Sequence, residues 1–173
     1  MTIAATELSK IVTFALGDDF FAADIFLVER VLRYQVPTSI PNVPSWILGV
    51  IEYQNRVVPV VDLRARFEMT PSQVKSSTRI LIFQSEGEWV GAVVDAVVEV
   101  SAVEKNQMAP PPPLFRGLAG EYLRGILRRP DRLVVVLDVS RLLSSNERLI
   151  LENARRQGGT SNRTGEPEGA AHG

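Results

Sequence analysis

The sequence predicts a mainly β protein: two interlocked five-stranded barrels built on an internal repeat, then one C-terminal helix and a disordered tail. Three observations predict it. Short runs rich in Val, Ile and Phe, each bounded by turn residues, recur from residue 11 to residue 137. Helical periodicity, by contrast, appears only after residue 143. Finally, the chain aligns with itself, because WILGVIEYQNRVVPVVDLRARF from Trp46 lies without gaps on YLRGILRRPDRLVVVLDVSRLL from Tyr122, an offset of 76.

Within that alignment Gly49 falls on Gly125, Arg56 on Arg132, Val58 on Val134, Val60 on Val136 and Asp62 on Asp138. At an offset of 69, Phe14 falls on Phe83, Phe20 on Trp89, Ala23 on Ala92, Val28 on Val97 and Val31 on Val100. The order of elements is therefore the same in both halves. Each unit alone is too small to bury a core well, so two copies are expected to pack as barrels sharing an apolar interface. The alternative is one β-sandwich of eight to ten strands.

Residues 11–16 and 20–34 flank Gly17, Asp18 and Asp19 and read as a first hairpin. Residues 36–44 carry Pro37, Pro41 and Pro44, each without an N–H for a ladder, and read as an irregular connection with a short helical turn after it at 45–48. WILGVIEY and RVVPVVDL form a second hairpin around Gln54 and Asn55; 79–85 and 89–100 form a third around Glu86, Gly87 and Glu88. APPPP at 109–113 reads as a stiff extended connection, and YLRGIL with RLVVVLDV as a fourth hairpin across 128–131. Ser144 with Glu147 is a capping box opening a helix over 144–156. From Gln157 to Gly173 the composition turns polar and Gly-rich and predicts disorder. The whole is expected to form a single domain over 10–152, with a first barrel over about 10–70, closed by C-terminal elements, and a second over about 78–143.

Of the 173 residues 45% are hydrophobic and 23% charged, an ordinary globular composition. Nineteen Lys and Arg balance twenty Asp and Glu, so no global field favours nucleic acid or an anionic membrane. No Cys occurs and the only His stands at position 172, which removes thiol nucleophiles, Cys/His metal sites and imidazole catalysis from a folded core. No cofactor or metal motif appears, and the start lacks the pattern of a signal peptide. The apolar runs are strand length, so a cytoplasmic protein without direct membrane insertion is expected.

Asp62 and Asp138 end strands at equivalent repeat positions, so they are expected to bond turn N–H groups or a neighbouring Arg rather than to act as a catalytic pair. Arg124, Arg128, Arg129 and Arg132 surround one turn, with Asp131 beside them, and read as a solvated cluster. A competing reading is a small β-barrel enzyme or ligand-binding protein using Asp62, Asp138 or Glu29. A polyproline-binding module would need a groove built from Trp46, Trp89, Tyr34, Tyr53 and Tyr122. Strand edges and exposed barrel surfaces leave protein binding as the default.

The run P-x-x-P-x-x-x-x-G-V-I at 41–51, V-V-P-V-V-D-L-R at 57–64, G-x-x-V-D-x-V-x-E-V at 91–100 and Y-L-x-G at 122–125 together resemble the CheW-like chemotaxis coupling proteins, over about residues 10–152. The resemblance implies SH3-like barrels and a non-catalytic adaptor that links chemoreceptor cytoplasmic tips to the regulatory domain of a CheA-type histidine kinase, monomeric outside arrays. It also implies a receptor-binding groove at Val28, Arg30, Val31, Gly49, Gln54 and Asn55, with Val94, Asp95 and Val97 from the second barrel. Kinase and ring contacts would use apolar residues at the outer ends of both barrels. Gly49 is expected where backbone and partner approach closely.

Two positions depart from the family pattern: Arg30 stands where a Glu is usual, and Gln54 with Asn55 where Arg-Gly is usual. Strict strand alternation would point Glu29 to the opposite face, while a β-bulge near Glu29 would return a carboxylate to it. Without the bulge the changes imply altered partner specificity, and a divergent or non-flagellar pathway.

Overall fold

The computed structural model describes residues 8–110 and 122–141. In chain order these are β1 (Leu8–Leu16), β2 (Asp19–Asp24), a 3-10 turn (Ile25–Leu27), β3 (Val28–Arg33), β4 (Ile47–Tyr53), β5 (Arg56–Asp62) and α1 (Leu63–Arg66). There follow β6 (Arg79–Ser85), β7 (Glu88–Val94), β8 (Ala96–Glu104), a 3-10 turn (Lys105–Gln107), β9 (Met108–Ala109), β10 (Leu123–Arg128), β11 (Leu133–Leu137) and a 3-10 turn (Val139–Arg141). The protein is mainly β, as its pattern predicts. The helix over 144–156, the tail from Gln157 and most of the polyproline connection lie outside the described residues.

The strands form two sheets, in the orders β8-β1-β2-β11-β10-β9 and β3-β6-β7-β5-β4. By repeat position both sheets have the same order, third-first-second-fifth-fourth strand. Sheet membership therefore differs from the expected split into 10–70 and 78–143. Each sheet takes its first two strands from one copy and the third, fourth and fifth from the other, with the two-residue β9 added at the edge of the six-stranded sheet. Two crossovers produce the exchange. Asp24 accepts from the Phe26 N–H at 3.0 Å and turns the chain out of β2, and the Asp95 N–H bonds Ala15 O at 2.9 Å as the chain leaves β7. These breaks also divide the runs 20–34 and 89–100 into two strands each, where the residue pattern alone reads continuous ones.

Both sheets close in the same way. Thr38, in the connection after β3, exchanges two backbone hydrogen bonds with Val50 of β4, at 2.8 and 2.9 Å. In the other sheet Ala109 of β9, after β8, pairs with Ile126 of β10, and Ile126 is the repeat equivalent of Val50. The connection at 45–48 is a turn over 45–46 running straight into β4.

The apolar residues divide among three clusters that obey the repeat. Ile11, Leu127, Val134 and Val136 fill one barrel, and their equivalents Ile80, Ile51, Val58 and Val60 fill the other. Between the barrels lies a larger shared cluster that includes the equivalent pairs Phe14 and Phe83, Ala23 and Ala92, Val61 and Leu137, and Leu63 and Val139. The alternating side chains of each strand thus serve its own barrel on one face and the common interface on the other.

Candidate functional site

β3 is an edge strand of its sheet. Its ladder to β6 pairs Val28 with Phe83 and Arg30 with Ile82, leaving Glu29 as the extra residue of a β-bulge. Strict alternation is broken there, and Glu29, Arg30 and Val31 are all exposed. The β-bulge that is the alternative to strict alternation at Glu29 is present. Its repeat equivalent is present too, since β8 skips Val98 opposite Thr13 and Phe14. Val28 is half-buried and packs on the shared core.

Gln54 and Asn55 form the tip of the β4/β5 hairpin with φ of 47° and 60°, the left-handed pair of a type I′ turn. Both side chains are exposed, and the Gln54 amide donates to Tyr53 Oη at 3.2 Å. Gly49 is buried, with φ of 145°. A Cβ there would lie 2.0 Å from Thr38 O. The backbone that approaches Gly49 is therefore the chain's own closing strand. Gly125 does the same in the other barrel, where a Cβ would meet Met108 Cγ at 2.5 Å and Ala109 O at 2.9 Å.

Of the second-barrel positions, Val94 is fully buried in the shared core and Val97 packs against it. Asp95 occupies the crossover between sheets. Its carboxylate accepts from Arg64 Nε at 3.1 Å, from Arg64 Nη2 and from the Gly17 N–H. Arg64 also donates from Nη1 to Thr70 O at 2.7 Å, which pins the start of the 67–78 connection. Burial would raise the Asp95 pKa, but the Arg64 and Gly17 hydrogen bonds and the positive charges of Arg64 and Lys75 outweigh it, holding the carboxyl below 3.8.

Asp62 ends β5 and Asp138 directly follows β11, the two strands lying in separate sheets. Asp62 Oδ1 accepts from the N–H groups of Arg64 and Ala65 and caps α1, and Asp138 Oδ1 accepts from the Ser140 N–H at 3.1 Å. The N–H groups of the same two aspartates bond Trp46 O and Tyr122 O, again a matched pair. The basic cluster is dispersed: Arg129 reaches Ser101 at 2.8 Å, Arg132 pairs with Asp131 at 2.8 Å, and Arg124 lies 3.9 Å from Asp24.

Several features were legible only as repeat identities. Arg56 lies 4.5 Å from the Trp89 ring and Arg132 4.1 Å from the Phe20 ring, so two equivalent Arg residues cover two equivalent aromatics. Arg66, buried, lies over Trp46 at 4.3 Å and Tyr122 at 5.1 Å, themselves equivalent aromatics, and donates to Tyr122 Oη. Tyr53 meets Trp89 at 5.3 Å, so the five aromatics of a polyproline groove fall into separate clusters. Exposed apolar residues outside the expected groove include Phe26 at 80%, Val98 at 40% and Val100 at 54%, the last being the equivalent of exposed Val31. A groove of about 780 Å³ is lined by Phe21, Phe67, Met69, Leu123, Val135 and Leu137, among others.

Fold and surface define a double-barrel β module with strand-exchanged halves. The family model for the CheW-like domain matches residues 10–147, and the chain belongs to that family. The Chemotaxis protein CheW of Klebsiella aerogenes is 32% identical over 140 residues, 81% of this chain and 84% of that protein. The Chemotaxis protein CheW of Treponema pallidum is 28% identical over 151 residues, 85% of this chain and 89% of that one. Among solved structures, the scaffolding protein TtCheW from Thermoanaerobacter tengcongensis matches with a TM-score of 0.75 at 31% identity, covering 81% of this chain and 95% of that chain. Among the described residues no helix is long and apolar enough to cross a membrane.

Proposed function

We propose that this protein is a non-catalytic, cytoplasmic chemosensory adaptor that couples chemoreceptor tips to the regulatory domain of a CheA-type histidine kinase. The observation that carries the reading is the family match over residues 10–147, together with relatives named as chemotaxis and scaffolding proteins. Surface chemistry supports it, since β3 and β8 offer exposed valines, Val31 and its equivalent Val100, with Val98 on the same strand as Val100. The enzyme alternative loses support because Asp62 and Asp138 spend Oδ1 on backbone N–H groups in different sheets.

The proposed receptor-facing surface comprises Val28, Arg30, Val31, Gln54 and Asn55, with Val97 and the exposed Val98 and Val100 from β8. Gly49, Val94 and Asp95 support it from within. With both Glu29 and Arg30 exposed at the bulge, the strand presents a mixed charge pair, so a carboxylate stays available to a partner beside the Arg30 cation.

Calorimetric titration of the purified protein with the kinase regulatory domain and with a receptor-tip fragment from the same organism tests this. Saturable micromolar binding to both is expected. Binding to the kinase alone would confine the proposal to the kinase side, and binding to neither would leave a shared fold without the coupling role.

A further inference from the structure

The repeat makes a prediction at the two crossovers between barrels, and the structure departs from it at one of them. The equivalents of Gly17, Arg64 and Asp95 are Glu86, Ser140 and Phe26, so no residue of this trio is matched in the other half. At the matched crossover Phe26 stands 80% exposed. At Asp95 three separate segments converge: the β1/β2 turn through the Gly17 N–H, α1 through the Arg64 guanidinium, and the start of β8 through Asp95 itself. The Arg64 guanidinium lies over Gly17, where an added Cβ would be 3.6 Å from Nη2, and it extends the network to Thr70 O. The pair is largely withdrawn from water, with side-chain exposures of 13% and 26%. A two-pronged, partly buried ion pair of this kind fixes geometry more strongly than a solvated one.

We propose that Arg64 and Asp95 are positioning residues, a latch that holds the β1/β2 turn and the 67–78 connection against the crossover, and that Asp95 influences partner binding through Arg64 without touching the partner. The second half of this inference rests on the adaptor reading; the first does not. Both Asp95 oxygens already accept bonds from within the chain. Together the Arg64 and Gly17 donors take up three of the roughly four acceptor positions of the carboxylate.

A double-mutant cycle separates latch from contact. Asp95→Asn and Arg64→Ala are each expected to speed amide exchange at Gly17 and to weaken binding of the kinase regulatory domain or receptor-tip fragment by roughly 3- to 10-fold, while the double variant is no weaker than the worse single one. If Asp95→Asn weakens binding by the same factor in the Arg64→Ala background, Asp95 contacts the partner and the positioning role is overturned. Unchanged Gly17 exchange in both single variants overturns the latch itself. Should Arg64→Ala fail to fold, Arg64→Gln takes its place, keeping the start of the aliphatic stem and an amide donor while removing the charge. If the unaltered protein binds neither fragment, the adaptor reading fails, and Gly17 exchange still decides the latch.

Discussion

Asn55 and Glu86 hold left-handed backbone conformations at two hairpin tips, but only the second tip has a glycine beside it, Gly87 with φ of 81°. Replacing Asn55 by Gly is expected to raise the urea midpoint slightly, because a type I′ turn favours Gly there, a gain that the larger entropy of glycine in the unfolded chain partly offsets. Gly49 and Gly125 make a sharper pair. Gly49→Ala drives a Cβ into Thr38 O and is expected to cost about 3 kcal/mol or more, while Gly125→Ala mainly meets the flexible Met108 and costs less. Equal losses in thermal melts would contradict that order. Asp95 predicts a pH dependence: its carboxyl is depressed in the fold, so its contribution is present above about pH 4, the unfolded value, and is lost as pH falls through the folded one. Asp95→Asn should flatten that acid limb in pH-dependent unfolding. The glycines were visible in the sequence as repeat identities, but the neighbour that requires them was not, because Thr38 and Met108 reach them through chain closure rather than through local pattern.

At the scale of elements, the hairpins were the most legible, since each turn announces itself between β-branched runs. What escaped were short pieces set by a single side chain. The 3-10 turn after β2 depends on Asp24, and α1 on Asp62, and each is a one-residue capping signal inside an otherwise apolar stretch. The candidate surface was legible in part, because β3 and the 54–55 turn are exposed as expected. Val94, placed in the groove by the resemblance, is fully buried in the shared core, and a β-rich run alone does not say which face is buried twice. The twin Arg-over-aromatic pairs yield a prediction here. Arg56→Ala and Arg132→Ala are each expected to cost about 0.5–1 kcal/mol, and to add in the double variant because they cap different barrels. Non-additive losses in chemical denaturation would show that the two ends are coupled.

For the molecule as a whole, the shared cluster between the barrels means neither can lose its strands without stripping the other. Unfolding is therefore expected to be one cooperative transition, and Phe83→Ala should lower its midpoint by about 3–5 kcal/mol without splitting it. Two resolved transitions in calorimetry would refute the shared core. The repeat announced two copies, yet nothing in it announced which copy each strand would join, because pairing partners at long range leave no periodicity. That exchange of strands has a consequence for assembly. A half-length chain would present two strands lacking three neighbours and three lacking two, and two such chains would complete each other as a symmetric pair whose survival depended on dilution. Joined end to end, the halves meet at the effective concentration set by a short tether, independent of how much protein the cell makes. Joining also frees the two copies to differ, and Asp95 and Phe26, occupants of one repeat position, show how far they do.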